Sequence, residues 1–250
     1  MEMISQSGWL LLAVLAAIST GALLKGMMGL GLPLFAVPIL ATLTSVQEAV
    51  LLMVIPGIAA NLWVVIDRRR NLALLRQHVL FLVCGIAGAY IGTALLNVVN
   101  DRALKVLLVI WLAIYLAQYF VGKKPLGVFA GRGPLAYLVG LIAGASQGAS
   151  GISAQVVAPY FHGRSLQAPA YAFLVAFTFL LLSITQLTAA LSIKLLNSDL
   201  LKLSLIALIP TIIFTRLGIR LADSISLEVF NKVLLAVLCL MEVKLLLDLL

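Results

Sequence analysis

Charged side chains are scarce in this sequence. They make up 10% of the 250 residues, whereas hydrophobic residues make up 63%. Soluble domains contain about 25% charged and about 45–50% apolar residues. The apolar runs are also too long and too numerous to surround a water-soluble core. The composition therefore excludes a soluble globular protein and predicts a chain that lies in a lipid bilayer.

Metal-binding, redox and nucleotide-binding motifs are absent from the sequence. Cys84 and Cys239 lie in separate apolar runs without a CxxC partner, and His78 and His162 have no metal-ligating neighbours in the sequence. We interpret the cysteines as buried free thiols and predict no metal and no other cofactor. Because no GxxxxGK[ST] motif is present, ATP bound by this chain is excluded as the energy source.

Acidic residues avoid the centres of the apolar segments. Only Glu48 and Glu242 fall where a position inside the membrane can be argued. We interpret Glu242 as a peripheral carboxylate, with a proton relay as the alternative.

Basic residues are unevenly distributed along the predicted membrane topology. Of the 17 Lys and Arg residues, twelve fall on one side and five on the other. The positive-inside rule makes the richer side cytoplasmic and places both termini outside. This pattern orients a membrane protein and does not indicate nucleic-acid binding. No Lys or Arg precedes Lys25, so the N-terminus lacks the basic region of a cleavable signal peptide and the first helix is predicted to be retained.

Ten apolar segments follow one another, five on each side of a linker that is dense in Gly, Pro and charge. We predict a first membrane repeat over residues 1–121, a cytoplasmic linker over 122–133 and a second repeat over 134–250. Three segments, 32–43, 134–145 and 152–161, have only about 10–12 residues, where a span needs about 20. They are predicted to be half-helices.

The predicted fold is an all-α polytopic membrane protein with two inverted repeats. Each repeat has about five helical segments, three or more of them full spans and the others a glycine-broken hairpin, which gives roughly 8–10 transmembrane segments in all. An odd number of crossings inverts the second repeat relative to the first. Four crossings per repeat would separate Arg216 and Arg220 from the basic loop at 68–70, so five are preferred. Whether the hairpins cross fully or are re-entrant stays open.

Two glycine-rich segments interrupt these hydrophobic helices about 122 residues apart, at 26–33 and at 144–153. A broken helix frees backbone N–H and C=O groups, which hydrocarbon cannot satisfy, so such breaks persist only where they line a polar cavity. The N-terminus of a half-helix also presents N–H groups and a partial positive charge. The paired breaks therefore predict an anion-binding site.

The candidate substrate-binding residues come from the two breaks and from one amide in each of two long segments. Lys25 either points into the cavity or extends along its stem to the membrane surface, and both interpretations stay open. The polar residues either contact substrate or join helices by hydrogen bonds. The candidates are Lys25, Gly26, Gly29, Gly31, Asn61, Gln147, Gly148, Ser150, Gly151, Ser153, Gln155 and Gln186.

Both glycine-rich segments resemble signatures of the TauE/SafE-like sulfite exporters. Leu30 stands between Gly29 and Gly31, where that family often has three adjacent glycines. The resemblance implies a secondary transporter of sulfite, thiosulfate, a sulfonate or a related small organic anion in a bacterial cytoplasmic membrane. The residues that carry it are Gly26, Gly29, Gly31, Pro38 and Leu40 in the first half and Gly144, Gly148, Ser150, Gly151, Gln155 and Pro159 in the second.

Other functions remain as alternatives at this stage: an anion channel, a structural membrane subunit or an intramembrane enzyme. Ser150 and Ser153 have no His or Asp partner within the predicted membrane segments, so a serine nucleophile is unsupported and no enzyme is predicted. The predicted partners are a small anion, the lipid bilayer and a coupling ion, either a proton or sodium. The sequence does not specify the anion, the transport direction or the oligomeric state.

Overall fold

The computed structural model describes residues 8–28, 32–120, 135–162, 164, 166–221 and 227–249. These residues form α-helices and one 3₁₀ helix, Arg69–His78, and they contain no strand. The α-helices are Gly8–Met28 (α1), Leu32–Leu43 (α2), Val46–Leu52 (α3), Val54–Asp67 (α4), Val79–Val98 (α5), Asp101–Phe120 (α6), Leu135–Ser150 (α7), Ala154–His162 (α8), Ala168–Ser192 (α9), Ser198–Ile206 (α10), Leu208–Leu221 (α11) and Leu227–Leu247 (α12).

Long apolar helices dominate the structure and confirm the prediction of an all-α polytopic membrane protein. Helices α2 and α7 are apolar but shorter than a full span. Five stretches are long and apolar enough to cross a membrane: Gly8–Met27, Val46–Asp67, Arg69–Val98, Ala168–Ser192 and Ser198–Leu221.

The two breaks are shorter than the sequence predicted. Helix α1 continues through Met28, so Gly26 is helical, and α7 continues through Ser150, so Gly144 and Gly148 are helical as well. Only residues 151–153 separate α7 from α8. Residues 26–28 and 144–150 of the predicted breaks are therefore helical. Small residues are tolerated in a membrane helix where a second helix packs closely against them.

Helices α5 and α7 pack along such small residues. A Cβ added at Gly144 would overlap the backbone of Gly85, and one added at Gly148 would overlap the backbone at Ala89. The small residues at 85–92 of α5 therefore form a close-packing surface for α7. The contacts advance in the same direction along both helices, so α5 and α7 run parallel.

The two halves contact each other in a reciprocal pattern. The most extensive helix–helix contacts join α5 to α7 and α1 to α11, and each pairs the fourth segment of one half with the first segment of the other. The third segments, α4 and α9, and the fifth segments, α6 and α12, also pack against their counterparts. This reciprocity supports a two-fold repeat. The repeat boundaries stay a prediction, and the linker at 122–133 lies outside the described residues.

Helices α3 and α4 form one span that turns at Met53. Pro56 has no N–H, so the carbonyl of Leu52 lacks the donor that a regular helix would supply. The buried hydroxyl of Ser204 in α10 donates a hydrogen bond to that carbonyl instead, at 2.8 Å. The proline turn is therefore stabilised by a neighbouring helix.

Candidate functional site

A small cavity lies where the two glycine breaks meet. Its volume is about 30 Å³, which is room for about two water molecules. Both halves contribute to its wall, through the end of α1, the start of α2, the α3–α4 span, the α7–α8 junction and α9. The polar side chains that line it are Lys25, Asn61, Gln147, Ser153, Ser183 and Gln186.

The N-termini of both half-helices face this cavity. Leu32, Pro33 and Leu34 begin α2, and the segment 152–154 leads into α8; both line the cavity. The first N–H groups of a helix have no intrahelical acceptor and carry a partial positive charge. Gly151 allows the sharp exit from α7 because its φ is +69°, a conformation that other residues rarely adopt. Two partly positive helix ends thus converge on one space.

Lys25 is the cation of the cavity. Its residue is only 5% exposed, and its Nζ donates a hydrogen bond of 2.8 Å to Oδ1 of Asn61. Nζ also lies 5.9 Å from the ring centroid of Phe179. The Asn61 amide in turn donates to the carbonyl of Gly57 at 2.8 Å, which fixes the orientation of the side chain. Lys25 therefore points into the protein, and the alternative of a surface lysine is wrong.

A second polar group comes from the other half of the chain. Nε2 of Gln147 donates to Oε1 of Gln186 at 3.3 Å, and the hydroxyl of Ser153 donates to Oε1 of Gln147 at 2.8 Å. Nε2 of Gln186 donates to the carbonyl of Gly148 at 3.2 Å. These side chains are buried and satisfy one another, so they form a neutral, pre-organised wall.

The two polar groups occupy corresponding positions in the two halves. Lys25 precedes Gly26, which packs against Gly218 of α11, and Gln147 precedes Gly148, which packs against α5 near Gly92. In both halves the residue before the packed glycine donates to an amide oxygen on the third segment, α4 or α9. The arrangement is therefore alike in geometry but unlike in charge, with a lysine on one side and a glutamine on the other.

Some predicted site residues lie elsewhere or are not described. Gly26 and Gly148 pack against neighbouring helices rather than lining the cavity. The hydroxyl of Ser150 donates to the carbonyl of Ser146 in its own helix at 2.8 Å. The Gln155 amide faces α6, where Nε2 donates to the carbonyl of Trp111 at 3.4 Å, and its Oε1 has no described hydrogen-bond partner. Gly29 and Gly31 lie outside the described residues.

The structure adds lining residues that the sequence interpretation did not place in the site. Phe179 and Ser183 precede Gln186 by seven and three residues, so all three lie on one face of α9. This helical spacing from an already suspected amide was the signal that could have identified them. Gly57 stands four residues before Asn61 on α4 and lines the cavity for the same reason.

The chemistry of the lining favours an anion over a cation or a metal. None of the described residues that line the cavity is Asp or Glu. Within the described parts of the chain, no group of three or more His, Cys, Asp or Glu side chains is placed to hold a metal ion. Glu242 lies on α12, outside the cavity lining, and its Oε2 is buried without a described hydrogen-bond partner. A lysine, two helix N-termini and neutral amides can bind a small oxyanion.

Comparison with known proteins identifies the family of the chain. The family model described as "Sulfite exporter TauE/SafE" matches residues 13–245, which is nearly the whole chain. Comparisons with curated proteins and with solved structures found no match. The match agrees with the glycine-rich signatures and with the multi-pass helical architecture. The chain therefore belongs to the sulfite exporter TauE/SafE family, which is a family of transporters and not of enzymes.

Proposed function

We propose that this protein is a secondary transporter that moves sulfite, thiosulfate or a small sulfonate across a bacterial cytoplasmic membrane, and that the cavity at Lys25 is its substrate site. One observation carries the proposal: a buried lysine and two half-helix N-termini meet in a cavity whose described lining contains no carboxylate. An anion bound there would accept charge-assisted and backbone hydrogen bonds from these groups.

The polar lining suits the oxygens of such an anion. Lys25 supplies a charged donor, and the helix N-termini supply backbone donors. Ser183 adds a neutral hydroxyl group, and apolar residues such as Leu32 and Phe179 complete the wall. The apolar part of the wall can accept a short hydrocarbon group, as a sulfonate would require, while the oxygens face the donors.

Substrate binding requires the cavity to widen. Sulfite has four heavy atoms, whereas the cavity has room for about two water molecules. Because both halves line the cavity, a relative movement of the halves would enlarge it and could open it to one side at a time.

Flux measurements in proteoliposomes test the proposal. Uptake of radiolabelled sulfite, thiosulfate and methanesulfonate should saturate, and Lys25→Gln should impair it. Lys202→Gln, which removes an exposed lysine on α10, should leave it unchanged. Imposing pH and sodium gradients separately identifies the coupling ion. Absence of flux for every anion refutes the proposed function, whereas flux that does not saturate supports a channel.

A further inference from the structure

A second cavity lies on the outer face of the helix bundle, between α4 and α11. Its volume is about 260 Å³, and it shares no lining residue with the cavity at Lys25. Its walls are mostly apolar and include Ala60, Trp63 and Ile66 of α4 with Ile212 and Ile219 of α11. We call this cavity the α4–α11 groove.

The walls of the groove face the hydrocarbon. Trp63 and Ile66 are each more than half exposed at the surface of the helix bundle, and Ile212 and Ile219 are each 47% exposed. In a multi-pass membrane protein, apolar side chains exposed on the outer face of the bundle contact lipid chains. A groove with such walls has room for part of an acyl chain, whereas a flat helix surface offers only transient contact.

The groove lining carries one positive charge. The guanidinium of Arg216 lies over the ring of Trp63, 5.1 Å from its centroid. No carboxylate among the described residues forms an ion pair with Arg216. Asp67, four residues after Trp63 on α4, pairs with Arg68 at 2.7 Å. The hydroxyl oxygen of Thr215, also in the groove lining, is buried and has no hydrogen-bond partner among the described residues. The groove thus combines an apolar slot with unused polar groups.

We propose that the α4–α11 groove binds one phospholipid with an anionic headgroup. An acyl chain lies along the apolar walls, and the phosphate accepts hydrogen bonds from the guanidinium of Arg216. Tryptophan and arginine at one level are typical of the region where headgroups meet hydrocarbon.

Native mass spectrometry of the purified protein with added phosphatidylglycerol or phosphatidylcholine tests the proposal. The wild type should retain phosphatidylglycerol preferentially. Arg216→Gln should reduce that preference about fivefold, the effect of one basic residue near an anionic lipid. Arg220→Gln removes the neighbouring arginine, which does not line the groove, and should keep the preference. Ala59→Leu narrows the groove and should weaken retention of phosphatidylglycerol.

Four results would overturn the proposal. Equal retention of both lipids by the wild type would indicate contact without a site. A loss of preference for phosphatidylglycerol in Arg220→Gln as large as that in Arg216→Gln would indicate diffuse electrostatic attraction. Binding of glycerol 3-phosphate as tight as that of phosphatidylglycerol would show that the acyl chain plays no part. Cross-linking between two copies through a cysteine at position 212 would show that a second copy of the chain covers the groove.

Discussion

The contact between Lys25 and Asn61 connects the charge of the cavity to the helix that holds it. Asn61 accepts from Lys25 with its oxygen and donates to Gly57 with its nitrogen, so each end of the amide has a partner. Because the amide is neutral, it orients the lysine without neutralising it. A neutral amide beside the lysine competes less with a substrate anion than a carboxylate at the same position would.

Replacing Asn61 by Asp should therefore weaken substrate binding while keeping the shape of the side chain. The new carboxylate would lie at the position of Oδ1, 2.8 Å from Lys25, and would compete with the substrate. We expect sulfite affinity to fall by at least about tenfold, or about 1.4 kcal/mol. Equilibrium binding of radiolabelled sulfite to the purified protein measures this change in affinity. Asn100→Asp makes the same change at an exposed helix cap and should leave affinity unchanged; unaltered binding in Asn61→Asp would contradict the role of the charge.

Gly151 is required by backbone conformation rather than by lack of space. The nearest atom to an added Cβ would be Cγ2 of Val37 at 3.6 Å, which is ordinary contact, but φ is +69°. Gly151→Ala should lower the free energy of unfolding by about 1–2 kcal/mol. Gly57→Ala, within α4, meets nothing closer than 3.8 Å and should raise it by up to about 1 kcal/mol. Thermal unfolding in detergent compares the two variants, and equal changes would contradict this explanation.

Helix pairs position these residues through close backbone contacts. Gly26 touches Gly218 on α11, and the glycines of α7 touch α5. These contacts hold the residue before each packed glycine, Lys25 or Gln147, at the cavity wall. Gly26 and Gly148, which the sequence predicted to bind substrate, thus position the neighbouring lining residues and do not line the cavity themselves.

The turn between α3 and α4 depends on a hydrogen bond from another helix. Ser204→Ala removes the donor to the Leu52 carbonyl and leaves that carbonyl buried without a substitute for the missing N–H of Pro56. We expect the free energy of unfolding to fall by about 1–3 kcal/mol. Ser192→Ala is the control, because that hydroxyl bonds to a carbonyl of its own helix. An equal effect of the two changes in thermal unfolding would show that the interhelical bond adds nothing.

Long segments could be predicted from the sequence because span length and hydropathy follow directly from the thickness of the bilayer. The limits of the breaks could not. Glycine favours a break when exposed but is also the residue that allows two helices to touch, and the sequence does not state which partner is present. Helices α1 and α7 therefore extend further than predicted, and α5 and α11 account for the difference.

The site was predictable in its residue types more than in its geometry. Polar residues within apolar segments indicate a site, and the structure brings five of them to one cavity: Lys25, Asn61, Gln147, Ser153 and Gln186. The direction of each side chain depends on packing between distant segments. The sequence therefore left Lys25 with two interpretations and could not separate Gln155, which faces α6, from the residues of the cavity.

The orientation in the membrane stays a prediction, and one basic residue no longer counts toward the charge asymmetry that predicts it. Lys25 lies in the cavity, so eleven basic residues rather than twelve favour the cytoplasmic side. A cysteine at position 69, in the 3₁₀ helix, should resist a membrane-impermeant thiol reagent in intact cells and react after the membrane is opened. Labelling in intact cells would show that the orientation is the reverse of the predicted one and that the termini face the cytoplasm.

The pseudosymmetry of the whole molecule makes the central claim testable by moving one charge. Lys25→Gln should weaken equilibrium binding of radiolabelled sulfite by about 1.5–3 kcal/mol, roughly tenfold to over a hundredfold. Adding Gln147→Lys places the charge at the corresponding position of the other half and should restore most of the affinity. Sulfite binding by Lys25→Gln that equals wild-type binding would contradict the claim that this cavity recognises its anion through the buried lysine.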